Sequence, residues 1–161
     1  ETESDYPYSA TSGNKCAFDK SKEVATEFTG YKNITSGSEA ELTVASSQHV
    51  ISVGIDASSF LFQLYSGGVY DDSSCKKAYD QLDHGVTVVG YGTDSGKNYY
   101  WVKNSWGASW GLSGYIKMTR DGSNQCGIAT DATFPTWKSA EEPAPTVSLR
   151  GNRMAIATAT A

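Results

Sequence analysis

The apolar positions fall into short, separate runs instead of long helical stripes. The runs richest in Val, Ile and aromatic residues lie between positions 50 and 120. Residues 50–57 (VISVGIDA) are nearly continuously apolar and β-branched, which predicts a first core strand buried on both faces. Residues 85–91 (GVTVVGY) and 99–104 (YYWVKN) are strand-like and flank the turn-rich segment 92–98, so the pair reads as a hairpin. If Tyr91 pairs with about Asn98, His84 comes opposite Ser105 and Gly85 opposite Asn104. Opposed Cβ atoms lie about 4.5–5.5 Å apart, and a one-residue error of register would turn a side chain away. Residues 115–120 (YIKMTR) alternate and predict a further strand, residues 69–70 another extended piece, and residues 126–135 close the ordered, aromatic part. Helices should be short. Ser38-Glu39-Ala40-Glu41 has the S-x-x-E form, which predicts a helix over 38–47 with Ser38 as cap and Glu41 reaching back to it. Residues 59–65 should make one or two turns before Gly67-Gly68 stops them. Residues 1–31, broken by Pro7 and Gly13, read as extended loop and short strand. From Lys138 onward there are no aromatics and too little apolar surface to offset the entropy of ordering, so one domain over 1–137 and a disordered tail over 138–161 are expected.

Composition narrows the function. A chain of 161 residues favours one domain, and 18 Asp and Glu against 13 Lys and Arg give a net charge of -5. That is the wrong sign for phosphate backbones or anionic lipid, so neither nucleic acid nor membrane is expected as a partner. No apolar run approaches the ~18 residues of a membrane helix, and residues 1–10 lack the basic flank and apolar stretch of a signal peptide. With no initiating Met, a segment is expected to precede Glu1. Three cysteines without a C-x-x-C pair, and two histidines, argue against a zinc site; no other metal and no cofactor is expected. Asn33-Ile34-Thr35 has the N-glycosylation acceptor form, in keeping with a secretory, disulfide-permissive route. If the cysteines oxidise, the odd count leaves one to pair outside the chain or stay free. A lone histidine is most often a satisfied residue at a strand start. His84 differs, because the facing segment offers Asn104, an acceptor able to fix its tautomer, and Trp106 to shield that bond from water.

At these residues the wording resembles the papain-like cysteine peptidases, most closely their cathepsin L-like branch. The motifs run in family order over positions 6–135: Tyr6-Pro7-Tyr8 before Cys16, Ser66-Gly67-Gly68-Val69-Tyr70, Leu82-Asp83-His84-Gly85-Val86 leading to Val89-Gly90-Tyr91-Gly92, Lys103-Asn104-Ser105-Trp106-Gly107, Trp110-Gly111, Gly114-Tyr115, and Asn124-Gln125-Cys126-Gly127-Ile128-Ala129. The resemblance implies an α+β fold, mainly the antiparallel, β-barrel-like domain with short helices, without the N-terminal helical half. It implies that His84 is the catalytic histidine, Asn104 its orienting partner and Trp106 the supporting indole. It further implies a Cys75–Cys126 disulfide, and a mechanism in which a thiolate of low pKa attacks a peptide carbonyl at mildly acidic pH.

The sequence also departs from that pattern. In the family the nucleophile lies in a C-G-S-C-W type signature about 130–150 residues before the histidine, whereas 83 residues precede His84. The sulfur and the oxyanion-hole glutamine are therefore expected on a missing N-terminal half, this chain's principal partner beside its peptide or protein substrate. Loss of one oxyanion donor alone typically costs about 10²–10³ in turnover. Cys16 matches a family position whose partner thiol lies in that half, so it is expected to be unpaired within this chain and not a substitute nucleophile. By family position Gly54, Leu82, Asp83 and Asp131 contact substrate. Asp131 would be a buried carboxylate at the floor of the pocket for the second residue before the scissile bond, letting it accept Arg as well as bulky apolar residues, unless Asp131 points to solvent. Gln48-His49 replaces the family's usual Gly-Pro, and His49 is expected at the surface. The expected setting is a lysosomal or other acidic vacuolar compartment, or secretion. Competing classes are a non-catalytic peptidase-like scaffold and an aromatic carbohydrate-binding β module, which explains the composition but not the motif order.

Overall fold

The 84–103 hairpin organises the fold. In the computed structural model, which describes residues 1–24, 28–122, 124–137 and 155–156, β4 (His84–Asp94) and β5 (Lys97–Lys103) run through the segment expected to be a loop. Ser95 and Gly96, at φ 51° and 80°, make the turn alone. Two successive positive φ values give a hairpin turn whose twist matches its strands, and that suits the Ser-Gly pair. The register is therefore corrected. Tyr91 faces Tyr100 instead of Asn98, and after an irregularity between Val88 and Gly90 the pairs become Val88↔Val102 and Thr87↔Lys103. Extended one step, this sets Val86 beside Asn104, so His84 and Asn104 are diagonal neighbours on one face. The expected register would have placed them on opposite faces.

Around this hairpin the described strands are β1 (Phe28–Asn33), β2 (Ile51–Ile55), β3 (Val69–Tyr70), β6 (Tyr115–Thr119), β7 (Ala132–Trp137) and β8 (Ala155–Ile156). Their order is β1-β7-β2-β4-β5-β6-β3, with β8 beside β4. The β3–β6 pair is parallel and the other registered pairs are antiparallel. Apart from 155–156, the expected tail lies outside the described residues. The described residues form two compact units, one of 1–24, 28–30 and 135–137 and one of 31–122, 124–134 and 155–156. The first is irregular save for a short 3-10 turn, Lys20–Lys22, capped by Asp19, and the strand ends 28–30 and 135–137. The second carries the core, where Leu42, Ile51, Phe62, Tyr100, Ile116 and Ile128 are fully buried.

β2 corrects a second expectation. Ile51, Val53 and Ile55 face the core, but Ser52 is exposed and Gly54 half-buried. The strand has one core face, and the other lines a groove described below. α1 (Glu39–Ser46) starts as expected, with Ser38 Oγ accepting from the Glu41 amide at 3.3 Å. The Glu41 carboxylate, however, does not reach the cap amide. It accepts from the Thr35 amide at 2.9 Å, further back along the incoming loop. His49 is also not a simple surface residue. It is half-buried and stacked on Phe134, with centroids 4.3 Å apart and planes at 14°.

The Cys75–Cys126 disulfide forms and sits beside a buried acidic knot. Asp72 accepts from Ser74 Oγ at 2.6 Å and Ser59 Oγ at 2.7 Å, then from the Ser74 amide at 2.9 Å and Tyr70 Oη at 3.1 Å. The serine hydroxyls first, against the opposing effect of burial, hold its carboxyl at about 2. Burial pushes the Tyr70 phenol up to about 12. Ser59 also caps α2 (Phe60–Gln63), so this carboxylate ties α2, β3 and the disulfide loop together. A carboxyl with a lowered folded pKa contributes stability above its unfolded pKa and loses it as pH falls through the folded value. Asp72→Asn is therefore expected to lower stability by about 2 kcal/mol at neutral pH, allowing for partial screening. Urea melts should show that difference closing between about pH 4 and about pH 2.

Candidate active site

His84 opens β4 and pairs with Ile55 of β2, while Asn104 leaves the end of β5. The loop that follows Asn104 is pinned back on it: the Asn104 amide donates to Gly114 O at 2.9 Å and the Gly114 amide to Trp110 O at 2.7 Å. Gly111, at φ +57°, lets the loop pass where a Cβ would come 2.5 Å from Tyr115 O, so only glycine fits. The result is a 2.8 Å bond between His84 Nε2 and Asn104 Oδ1. Asn104 Oδ1 also accepts from the Ser105 amide at 2.7 Å. Because that oxygen only accepts, Nε2 carries the proton, and Nδ1 is the ring nitrogen left for proton exchange.

Aromatic rings frame the pair. Asn104 is buried, His84 half-buried, and the Trp106 ring lies 5.0 Å from the imidazole at 34°, itself 40% exposed. Behind them stands Phe62, a side chain that the sequence did not single out. It is fully buried, 6.4 Å from His84, 5.6 Å from Trp106 and 5.3 Å from Trp110 between centroids. Trp110 Nε1 donates to Gln63 O at 2.9 Å, fixing α2 against this cluster.

His84 and Asp83 border two open grooves. One, of about 420 Å³, is lined by Gly54, Leu82 and Asp131 and also by Ser52, Tyr79 and Thr133. The other, of about 470 Å³, is lined by Ala57, Ser58, Gln63 and Trp106. The structure thus brings Gly54, Leu82 and Asp131 together: a Cβ on Gly54 would lie 3.2 Å from Leu82 Cδ1 and 3.7 Å from Asp131 Cβ. Gly54 donates its amide to Asp131 O at 2.9 Å. The Asp131 side chain is exposed in the groove, not buried as expected for a pocket floor. Asp83 accepts from the Ala57 amide at 2.8 Å and holds the loop after β2. Tyr79, Thr133, Ser58 and Gln63 carried no sequence signal, because each is a polar or loop residue that joins the site only through the fold. Among the described residues no group of His, Cys, Asp or Glu is arranged to hold a metal ion. The unit that holds His84 has no free thiol, since Cys75 and Cys126 are joined, and Cys16 is free and exposed in the other unit.

The family model described as papain family cysteine protease matches residues 1–136. The chain belongs to the papain family of cysteine proteases. Within that family it is 48% identical over 134 residues to cysteine proteinase 3 of Dictyostelium discoideum. It is 50% identical over 138 residues to cathepsin L of Sarcophaga peregrina. The matches cover 83% and 84% of this chain but 39% and 40% of those proteins, so the chain spans about two-fifths of the length of the papain-family relatives it matches. Among solved structures, digestive procathepsin L 3 of the Tenebrio molitor larval midgut superposes with a TM-score of 0.74 at 45% identity, covering 84% of this chain and 43% of that one. The α+β architecture, a mixed sheet with few helices, is thus the papain-like one.

Proposed function

We propose that this chain supplies the acid–base half of a cathepsin L-like cysteine endopeptidase, with the nucleophilic sulfur and the oxyanion-hole glutamine carried by polypeptide outside these 161 residues. The 2.8 Å bond from His84 to Asn104 carries the reading. With Nε2 held by Asn104, Nδ1 takes the proton of an incoming cysteine thiol, and the resulting thiolate attacks the peptide carbonyl. The imidazolium then protonates the leaving amine, and neutral His84 activates the water that hydrolyses the thioester. Trp106 keeps bulk water from the His–Asn bond, and the substrate peptide crosses His84 from one groove to the other. Cys16 acts as a structural half-cystine. Exposed Phe60, Leu61 and Leu64, on and just after α2, support a missing partner surface. The setting proposed is an acidic vacuolar compartment or secretion.

The chain alone is expected neither to hydrolyse a fluorogenic peptide nor to take a thiol-reactive epoxide. Produced with an upstream segment bearing the Cys signature, it should do both, with the label on the upstream cysteine. Turnover by the chain alone, with label on Cys16, would overturn the assignment. Within the assembled enzyme, Asp131 is the proposed partner for an Arg side chain two residues before the scissile bond. Because Asp131 is exposed, the pair is worth about 1 kcal/mol. Asp131→Asn should accordingly lower the ratio of Arg to Phe turnover about fivefold. An unchanged ratio sinks that role.

A further inference from the structure

The Asn33-Ile34-Thr35 acceptor is the motif that the proposed peptidase does not use. Asn33 ends β1, an outer strand of the sheet, and both Asn33 and Thr35 are exposed, whereas Ile34 between them is buried. The Ile34 amide donates to Ala132 O at 2.9 Å, so the backbone is fixed while Asn33 stands outward. The Asn33 side chain is also oriented. Its Oδ1 accepts from Thr133 Oγ1 at 2.5 Å, and the same hydroxyl lies 3.0 Å from Lys32 O. With Oδ1 engaged, Nδ2 is the amide atom left for an attached group. Thr133 in turn lines the Gly54–Leu82–Asp131 groove, beside Asp131.

From this juxtaposition we infer that Asn33 carries an N-linked glycan that stands at the outer rim of the substrate groove and screens it against folded protein substrates. The glycan is transferred from a lipid diphosphate-linked oligosaccharide. Nδ2 bonds to the anomeric carbon, the bond from that carbon to the diphosphate oxygen breaks, the lipid diphosphate leaves with the electron pair, and one amide proton passes to solvent. The polar, exposed strand end accepts the sugar without displacing any core side chain. A short peptide occupies only the groove near His84, but a folded protein must bring its bulk over the Asn33–Thr133 rim. The glycan therefore acts on large substrates and leaves small ones alone.

The screening part rests on the peptidase reading above, and the test separates the two. The protein is produced with its upstream segment in a eukaryotic secretory host, and peptides spanning Asn33 are analysed by mass before and after enzymatic deglycosylation. The expected result is a hexosamine-containing adduct on Asn33, removed with conversion of the residue to Asp and absent in Asn33→Gln and in Thr35→Ala. Secreted protein with unmodified Asn33 would overturn the modification whatever its activity. Relative to the glycosylated parent, Asn33→Gln should raise cleavage of a folded protein substrate about two- to fivefold and leave cleavage of a short fluorogenic peptide unchanged, an effect of the size expected when an access barrier of under 1 kcal/mol is removed. Equal effects on both substrates, or on neither, would overturn the screening role. Absence of epoxide labelling in a protein that does carry the glycan would instead count against the peptidase reading.

Discussion

Replacing His84 with Ala in the assembled peptidase is expected to lower kcat by about 10²–10⁴-fold, the range lost when a positioned general acid–base group is removed. KM should change little, because His84 borders both grooves without filling either. Its ring is half-buried, so the variant should fold and its urea midpoint should stay close to that of the parent, which separates chemistry from stability. Asn104→Ala should have a smaller effect. It removes a single 2.8 Å hydrogen bond, and a bond to a group that becomes charged is worth about 1.5–3 kcal/mol, or roughly 10- to 150-fold in rate. The order of the two losses is the informative result. Equal and modest effects would mean that His84 does not transfer protons.

The second large effect is expected at Phe62. Its ring is fully buried and touches His84, Trp106, Trp110 and Tyr70 at centroid distances from 5.3 to 6.4 Å. Phe62→Ala deletes that hub and should destabilise the fold by about 3–5 kcal/mol. Phe62→Leu preserves most of the volume and should cost about 1.5 kcal/mol or less. The Leu variant also isolates a positioning role: with the core still packed, a fall in kcat at unchanged KM would mean that the aromatic edges hold the imidazole and the indole in place. Urea melts and steady-state kinetics on the pair of variants distinguish these effects. Wild-type stability in Phe62→Ala would contradict the packing described here.

Much of the site was legible because its chemistry sits in residue types that stand out from their surroundings. A histidine before a Val-rich strand and an asparagine after an aromatic one stand together at the open end of a hairpin, and the family motif points to Gly54, Leu82 and Asp131. Register was not legible. The polar residues Thr93, Asp94, Lys97 and Asn98 read as loop, yet all four are paired strand residues. A hairpin tip projecting into water needs no apolar residues, so composition there says nothing about hydrogen bonding. The irregularity between Val88 and Gly90 then shifts the pairing by one residue, and nothing in Val88-Val89-Gly90 except the glycine hints at it. β2 misled for the opposite reason: its apolar run suggested two core faces, whereas Ser52 and Gly54 face a groove. Phe62 was invisible among Phe60, Leu61 and Leu64, since four apolar residues within and just after a one-turn helix give no period from which to choose the inward one.

The Ser95–Gly96 turn lies at the opposite end of the hairpin from His84. The ten-residue climb along β4 places it about 33 Å from the His84 imidazole. That distance, together with an exposed apex already in a left-handed conformation, makes the turn a splice point for a fluorescent reporter or affinity peptide. A graft there would stand clear of the His84–Asn104 pair while giving a handle for following the proposed assembled enzyme inside cells.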